Sequence, residues 1–241
     1  MRRSVRRTVG WLVGVVVVLA LLVAVDRAAA WVVAGRVADG LEDDGATDVG
    51  VHVGGFPFLT QLARGELEDV TGTAGTAAVA ATGDAPAPVT LDDLRFAAQD
   101  LGTRDPWRAG HVTASAVLPA SSLTTLVSDA TGADLQVATA DGALEVTTST
   151  FGLDVVVSVA PRVDDGHLAV GVSSVRVGPL EVSPDQLPDA LAGLVTDRLD
   201  GLRVPLDLPD GVRLERVAVR DDGVRVVLSG EDVALGELAA S

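Results

Sequence analysis

The 241-residue chain contains no cysteine, no lysine and no tyrosine. Without cysteine there is no disulfide staple, so stability rests on an apolar core, for which 48% hydrophobic residues is ample. Without lysine, a Walker A phosphate loop, a Schiff-base lysine and a Ser-x-x-Lys nucleophile are excluded. Aromatic residues are few: four Phe and three Trp leave little to stack on sugars or bases. Positive charge is scarce after residue 25, where 14 basic residues face 34 acidic ones, a net charge of −20. Such a surface does not seek nucleic acid or anionic headgroups by charge.

Enzyme signatures are missing too. His52, His111 and His167 lie far apart in the chain, none sits in H-E-x-x-H or H-x-E, and no G-x-S-x-G elbow occurs. Asp92-Asp93 and Asp164-Asp165 lack the spacing of a calcium loop and read as solvated turn residues. The expectation is a non-enzymatic protein with no catalytic residues, no cofactor and no metal.

What the chain does have begins at its start. Arg2, Arg3, Arg6 and Arg7 precede an uncharged run, Val9 to Val25. Basic residues stay on the cytoplasmic side, so the chain beyond Asp26 lies outside the cytoplasm. As a helix these 17 residues span about 26 Å, against a hydrocarbon core of about 30 Å. Two readings stay open. The length of the run and the bracketing Trp11 and Trp31 favour a retained single-pass anchor; Ala28-Ala29-Ala30 offers an A-x-A-like cleavage site, which would release the protein to the periplasm or envelope. The organisation is therefore residues 1–8 as a basic leader, 9–25 as anchor or signal segment, and 26–241 as one exported domain.

Within that domain, the apolar positions Trp31, Val32, Val37, Ala38 and Leu41 fit a helical face that continues the apolar run outward and ends at Asp43-Asp44-Gly45. Strand alternation follows at Val49, Val51 and Val53. Asp-Gly pairs at 141–142, 165–166 and 222–223 predict hairpins over about 134–149, 153–176 and 212–230. A short helix over 121–130 ends at Gly132. A longer one follows Ser183-Pro184-Asp185-Gln186, with Leu187, Leu191, Leu194, Val195 and Leu202 on one face. The low-complexity stretch Thr71–Pro88 contains a loop or irregular edge strand near its end, read as a surface loop in preference to a hinge between two halves. The pattern is α+β, with long antiparallel strands and few helices.

Gly55-Phe56-Pro57-Phe58-Leu59-Thr60-Gln61-Leu62 places two of the four Phe around a proline. The segment is either a core plug or the lip of an apolar pocket. Together with Arg64-Gly65-Glu66-Leu67 it resembles the hallmark block of the LmeA-like phospholipid-binding proteins of bacterial envelopes. Asp26-Arg27-Ala28 and the closing stretch from Leu208-Pro209-Asp210-Gly211-Val212 onward are similar to that family as well. The resemblance implies a tubular lipid-binding-like fold, in which a curled antiparallel sheet wraps one or two long helices around an acyl-chain groove. It also implies phospholipid or glycolipid as the partner and a link to envelope glycolipid assembly, and it carries no catalytic residues.

On this reading Phe56, Phe58, Leu59 and Leu62 lie at the groove rim or end, and Leu187, Leu191, Leu194 and Val195 form a covering helix face. Trp107, between Arg104 and Arg108, is a candidate headgroup contact. For each, ordinary packing within the domain is the competing assignment. At the level of function the competitor is an envelope scaffold with a filled core and an unknown protein partner.

Overall fold

A computed structural model describes residues 2–79, 89–104, 107–132, 134–150, 153–177, 180–182, 202–204 and 208–234. The chain opens with a 42-residue helix, α1 (Arg2–Asp43). Then come β1 (Gly50–Val53), α2 (Phe58–Arg64), β2 (Glu66–Val79), β3 (Val89–Gly102), β4 (Arg108–Pro119) and α3 (Ala120–Thr131). The remaining strands are β5 (Gln136–Ala140), β6 (Ala143–Thr150), β7 (Leu153–Asp164), β8 (His167–Val177), β9 (Leu180–Val182), β10 (Leu202–Val204), β11 (Val212–Arg220) and β12 (Gly223–Ala234).

The architecture is α+β with two antiparallel sheets. The first runs β1-β2-β3-β4-β12-β11; the second runs β10-β8-β7-β6-β5, with β9 also paired to β8. Neither sheet closes on itself, so the single curled wrap expected from the sequence is replaced by two open sheets. The break falls where α3 leaves the end of β4 and carries the chain to β5. Contact between the sheets is made where β11, an edge of the first, lies against β7 and β8.

The expected hairpins form as β5–β6, β7–β8 and β11–β12. Asp141-Gly142 and Asp165-Gly166 both take positive φ, the geometry of a tight two-residue hairpin turn. The third turn is shifted by one residue: Arg220 pairs with Gly223, so Asp221-Asp222 form the turn and Gly223 opens the strand. The helix expected at 121–130 is α3, ended by Gly132 at φ 66. Thr71–Val79 is the outer part of β2, a 14-residue strand between β1 and β3, and the end of the low-complexity stretch, 80–88, lies outside the described residues. At Gly72 the ring of Phe96 rests on the backbone, where a Cβ has no room. Of the helix expected after Ser183, residues 183–201 lie outside the described residues, and Leu202, expected on its apolar face, instead opens strand β10, paired with Val170 of β8.

The two halves of α1 have different surroundings. Val18, Leu19, Leu21, Leu22, Val23 and Val25 are all exposed, and none of the described residues covers them. From Asp26 onward the helix docks: Ala30 and Ala34 are buried in a cluster with Val53, Phe58, Leu67, Ala98, Leu101 and Ala109. Small residues on the helix let it lie close to the sheet. From Val18 to Asp43 the helix is long and apolar enough to cross a membrane.

Candidate functional site

The apolar side of the first sheet can be followed strand by strand, because residues directly opposite each other point the same way. Val53, Val70, Ala98, Val112 and Gly230 form one row across β1, β2, β3, β4 and β12. This row lies at the level where α1 and α2 pack. The next row is Gly72, Phe96, Ala114, Leu228 and Leu214, and the one after it holds Ala116, Val226 and Val217. The reverse side carries Gln99, His111, Thr113 and Ser229.

Beyond the reach of α1 and α2, none of the described residues covers this apolar side. Leu91, Leu94, Ala114, Ser115, Ala116, Leu118, Val226 and Leu228 line a trough of about 200 Å³, and its walls are almost wholly apolar. These side chains are half-buried. A second depression, about 170 Å³ between the start of β3 and α3, is lined by Thr90, Ser121, Ser122, Thr125 and Asp129 along with Val89 and Leu126. Its hydroxyls and carboxylate suit water better than an apolar ligand.

A bulge builds the trough. At Asp92/Arg95 the β3–β4 register shifts, and Asp93 takes φ 47. The extra residue lets Leu91 and Leu94, three apart, face the same side, where strict alternation would oppose them. Asp93 is held on the reverse side by Arg225 at 2.6 Å and Arg95 at 2.9 Å. Arg225, then Arg95, hold its carboxyl below its ordinary value. Asp92-Asp93 is thus a strand bulge, not the solvated turn expected; Asp165 does sit in a turn.

The GFPF segment occupies the other end of the sheet. Phe58 is 1% exposed and belongs to the core; Phe56, Leu59 and Leu62 are exposed, at 53%, 45% and 46%. The two halves of the block therefore take different roles, plug and surface. The anchor of this segment is Asp26, 3% exposed, whose carboxylate accepts the N–H groups of Phe58 and Leu59, each at 2.9 Å. Pro57 offers no side-chain acceptor to cap α2, so Asp26, 32 positions before Phe58, does it. Arg27 donates to the carbonyl of Gly55 at 2.9 Å and lies 5.3 Å from the centre of the Phe56 ring. Buried Gln61 donates to Gly54 and accepts from the Glu68 N–H. Trp107, half-exposed, precedes β4 at this same end, where Thr103 donates to Gly65 at the close of α2. None of Phe56, Phe58, Leu59, Leu62 or Trp107 lines the trough. Leu187, Leu191, Leu194 and Val195 lie outside the described residues.

A family model for LmeA-like phospholipid-binding proteins matches residues 24–229. The chain belongs to that family. No curated protein and no solved structure matches it. For this LmeA-like chain the matched stretch begins before Asp26, so it includes the carboxylate that caps α2 and the arginine that holds Gly55.

Burial raises the Asp26 carboxyl, but the Leu59 and Phe58 N–H groups, with Arg27 beside it, bring it below its ordinary 3.8. A carboxyl that binds its proton more weakly when folded stabilises the fold above about pH 4 and loses that contribution as pH falls below it. Asp26→Ala should leave both N–H groups without a partner. Amide hydrogen exchange at Phe58 and Leu59 is expected to quicken by an order of magnitude or more, since a hydrogen bond to a charged group is worth about 1.5–3 kcal/mol. Unchanged protection at both amides would show that the capping bonds carry no weight.

Proposed function

We propose that this chain is a non-enzymatic phospholipid-binding protein of the bacterial envelope, holding a length of acyl chain in the trough on its first sheet. The observation that carries this reading is the continuity of the trough with the core. One apolar sheet face is covered by α1 and α2 at one end and, among the described residues, is uncovered at the other. At about 200 Å³ the trough is below the roughly 300–1,000 Å³ of sites that enclose drug-sized ligands, so it suits part of one chain and not a whole lipid. In this reading the two open sheets are a variant of the tubular lipid-binding architecture.

Burying each CH₂ gains about 0.8 kcal/mol relative to water, but almost nothing relative to a bilayer, which is equally apolar. A carrier therefore needs an apolar wall more than tight polar contacts, and Val, Leu and Ala provide one. Exchange of lipid with the membrane, in support of glycolipid assembly, follows from that near balance.

We also infer that the leader is retained. Cleavage at Ala28-Ala29-Ala30 would remove the Asp26 cap and the Arg27 contact with Gly55, both of which hold the domain's own α2 segment.

The test is native mass spectrometry of the full chain from an envelope membrane, followed by organic extraction. One phospholipid per chain is expected. A lipid-free protein that also refuses added phospholipid would overturn the reading in favour of a scaffold with a filled core.

A further inference from the structure

We propose that the α2 end of the domain sits in the lipid–water interface of the membrane that α1 spans, with Phe56 and Leu59 in the outer leaflet. The inference rests on the retained anchor and concerns a surface separate from the trough.

Three observations place that surface. The first is where α1 leaves the membrane. Its apolar run stops at Val25, and at about 26 Å it falls short of a hydrocarbon core of about 30 Å. The shortfall draws the next turn of the helix toward the hydrocarbon boundary. That turn begins with Asp26 and Arg27.

The second is what Asp26 and Arg27 hold. The two Asp26 bonds at 2.9 Å fix the N–H groups of Phe58 and Leu59 at the level of Asp26. Arg27 does the same for Gly55 and Phe56. The start of α2 is therefore pinned within a residue or two of the end of the apolar run. Both Asp26 oxygens already accept hydrogen bonds, so the carboxylate can stand in a water-poor layer without an unsatisfied acceptor.

The third is the character of the surface. Phe56 and Leu59 are about half-exposed, and Leu62 lies one turn further along α2. Trp107 stands at the same end of the sheet. Trp31 is 76% exposed, five residues beyond Asp26 and so about 8 Å further along α1, at headgroup depth where Trp is favoured. Four of the 14 arginines after residue 25, Arg27, Arg64, Arg104 and Arg108, gather here among Asp26, Glu66, Glu68, Asp69, Asp100, Glu231 and Asp232. These charges sum to −3, so this end carries a small part of the −20 of the domain as a whole. Arginine stems lie along apolar surface with their heads in water, as an interface requires.

The absence of native cysteine makes the test direct. A single cysteine is introduced into the full chain as Leu59→Cys, Leu62→Cys or, at the far end of the sheet, Asp222→Cys. Each is labelled with an environment-sensitive fluorophore and reconstituted into phosphatidylcholine vesicles containing lipid spin-labelled near the top of the acyl chain. Quenching at residue 59 is expected to exceed that at 222 several-fold, with residue 62 also above 222. Phe56→Asp is expected to lower quenching at 59 while far-UV circular dichroism is unchanged. Equal quenching at 59 and 222 would overturn the proposal. So would a membrane-extracted protein whose mass lacks the first 30 residues of the 24.5 kDa chain. Lipid uptake, read separately by mass spectrometry, reports on the trough and not on this end.

Discussion

Ala116→Glu is expected to abolish phospholipid binding while leaving the domain folded. Ala116 stands mid-trough, opposite Val226 and in the row next to Ala114 and Leu228. It is half-buried, so in the lipid-free protein a glutamate there can extend its carboxylate to water. The cost to the fold is expected to stay below about 1 kcal/mol, in the range of surface substitutions. With an acyl chain in place the carboxylate loses that water without gaining a partner. A penalty of several kcal/mol is then expected, equivalent to a loss of about 100-fold or more in affinity. Leu228→Glu, in the next row, should behave alike. Thr113→Glu, on the reverse side of the same strand, should change neither stability nor lipid uptake. Titration with phospholipid vesicles and a thermal melt on each variant check the set. Full lipid uptake by folded Ala116→Glu would remove the trough as the binding site.

The elements that the sequence announced are those specified within a few residues. Asp141-Gly142 and Asp165-Gly166 make their hairpins because the turn chemistry is local, and Gly132 ends α3 for the same reason. The trough was only half legible. Val226 and Leu228 lie in a visible alternating run, and Ala114, Ala116 and Leu118 offer the same signal in smaller residues. Leu91 and Leu94 do not: their spacing of three suits a helix, and only the bulge at Asp93 places them together on a strand face. The Asp26 cap was invisible, because a hydrogen bond across 32 residues leaves no local pattern. The strand over Thr71–Val79 carries a weak signal because strands are recognised by bulky β-branched and aromatic residues, and Gly72, under the Phe96 ring, has no room for one.

The two phenylalanines of the GFPF block, identical by local composition, should differ sharply when truncated. Phe58→Ala is expected to cost about 3–5 kcal/mol, toward the upper end. The reason lies in its neighbours. The ring shares its cluster with Ala30, Ala34, Ala98 and Ala109, along with Val53, Leu67 and Leu101. Alanine has no side-chain torsion with which to move into a void, so the cavity would persist instead of collapsing. Loss of the ring also removes the contact that joins α1, α2 and the first sheet in one cluster. Against a typical domain stability of about 5–15 kcal/mol, such a loss brings the protein near its unfolding threshold. Phe56→Ala, at a site 53% exposed, should cost no more than about 1 kcal/mol. Urea denaturation of both variants, with the slope as a check on the two-state transition, measures the difference directly. Any loss of lipid by Phe58→Ala would then track its loss of fold, whereas Phe56→Ala should retain lipid in the trough and lose only part of its hold on the membrane interface. Equal, small destabilisation by the two substitutions would mean that the Phe58 ring is not the wedge on which α1 is seated.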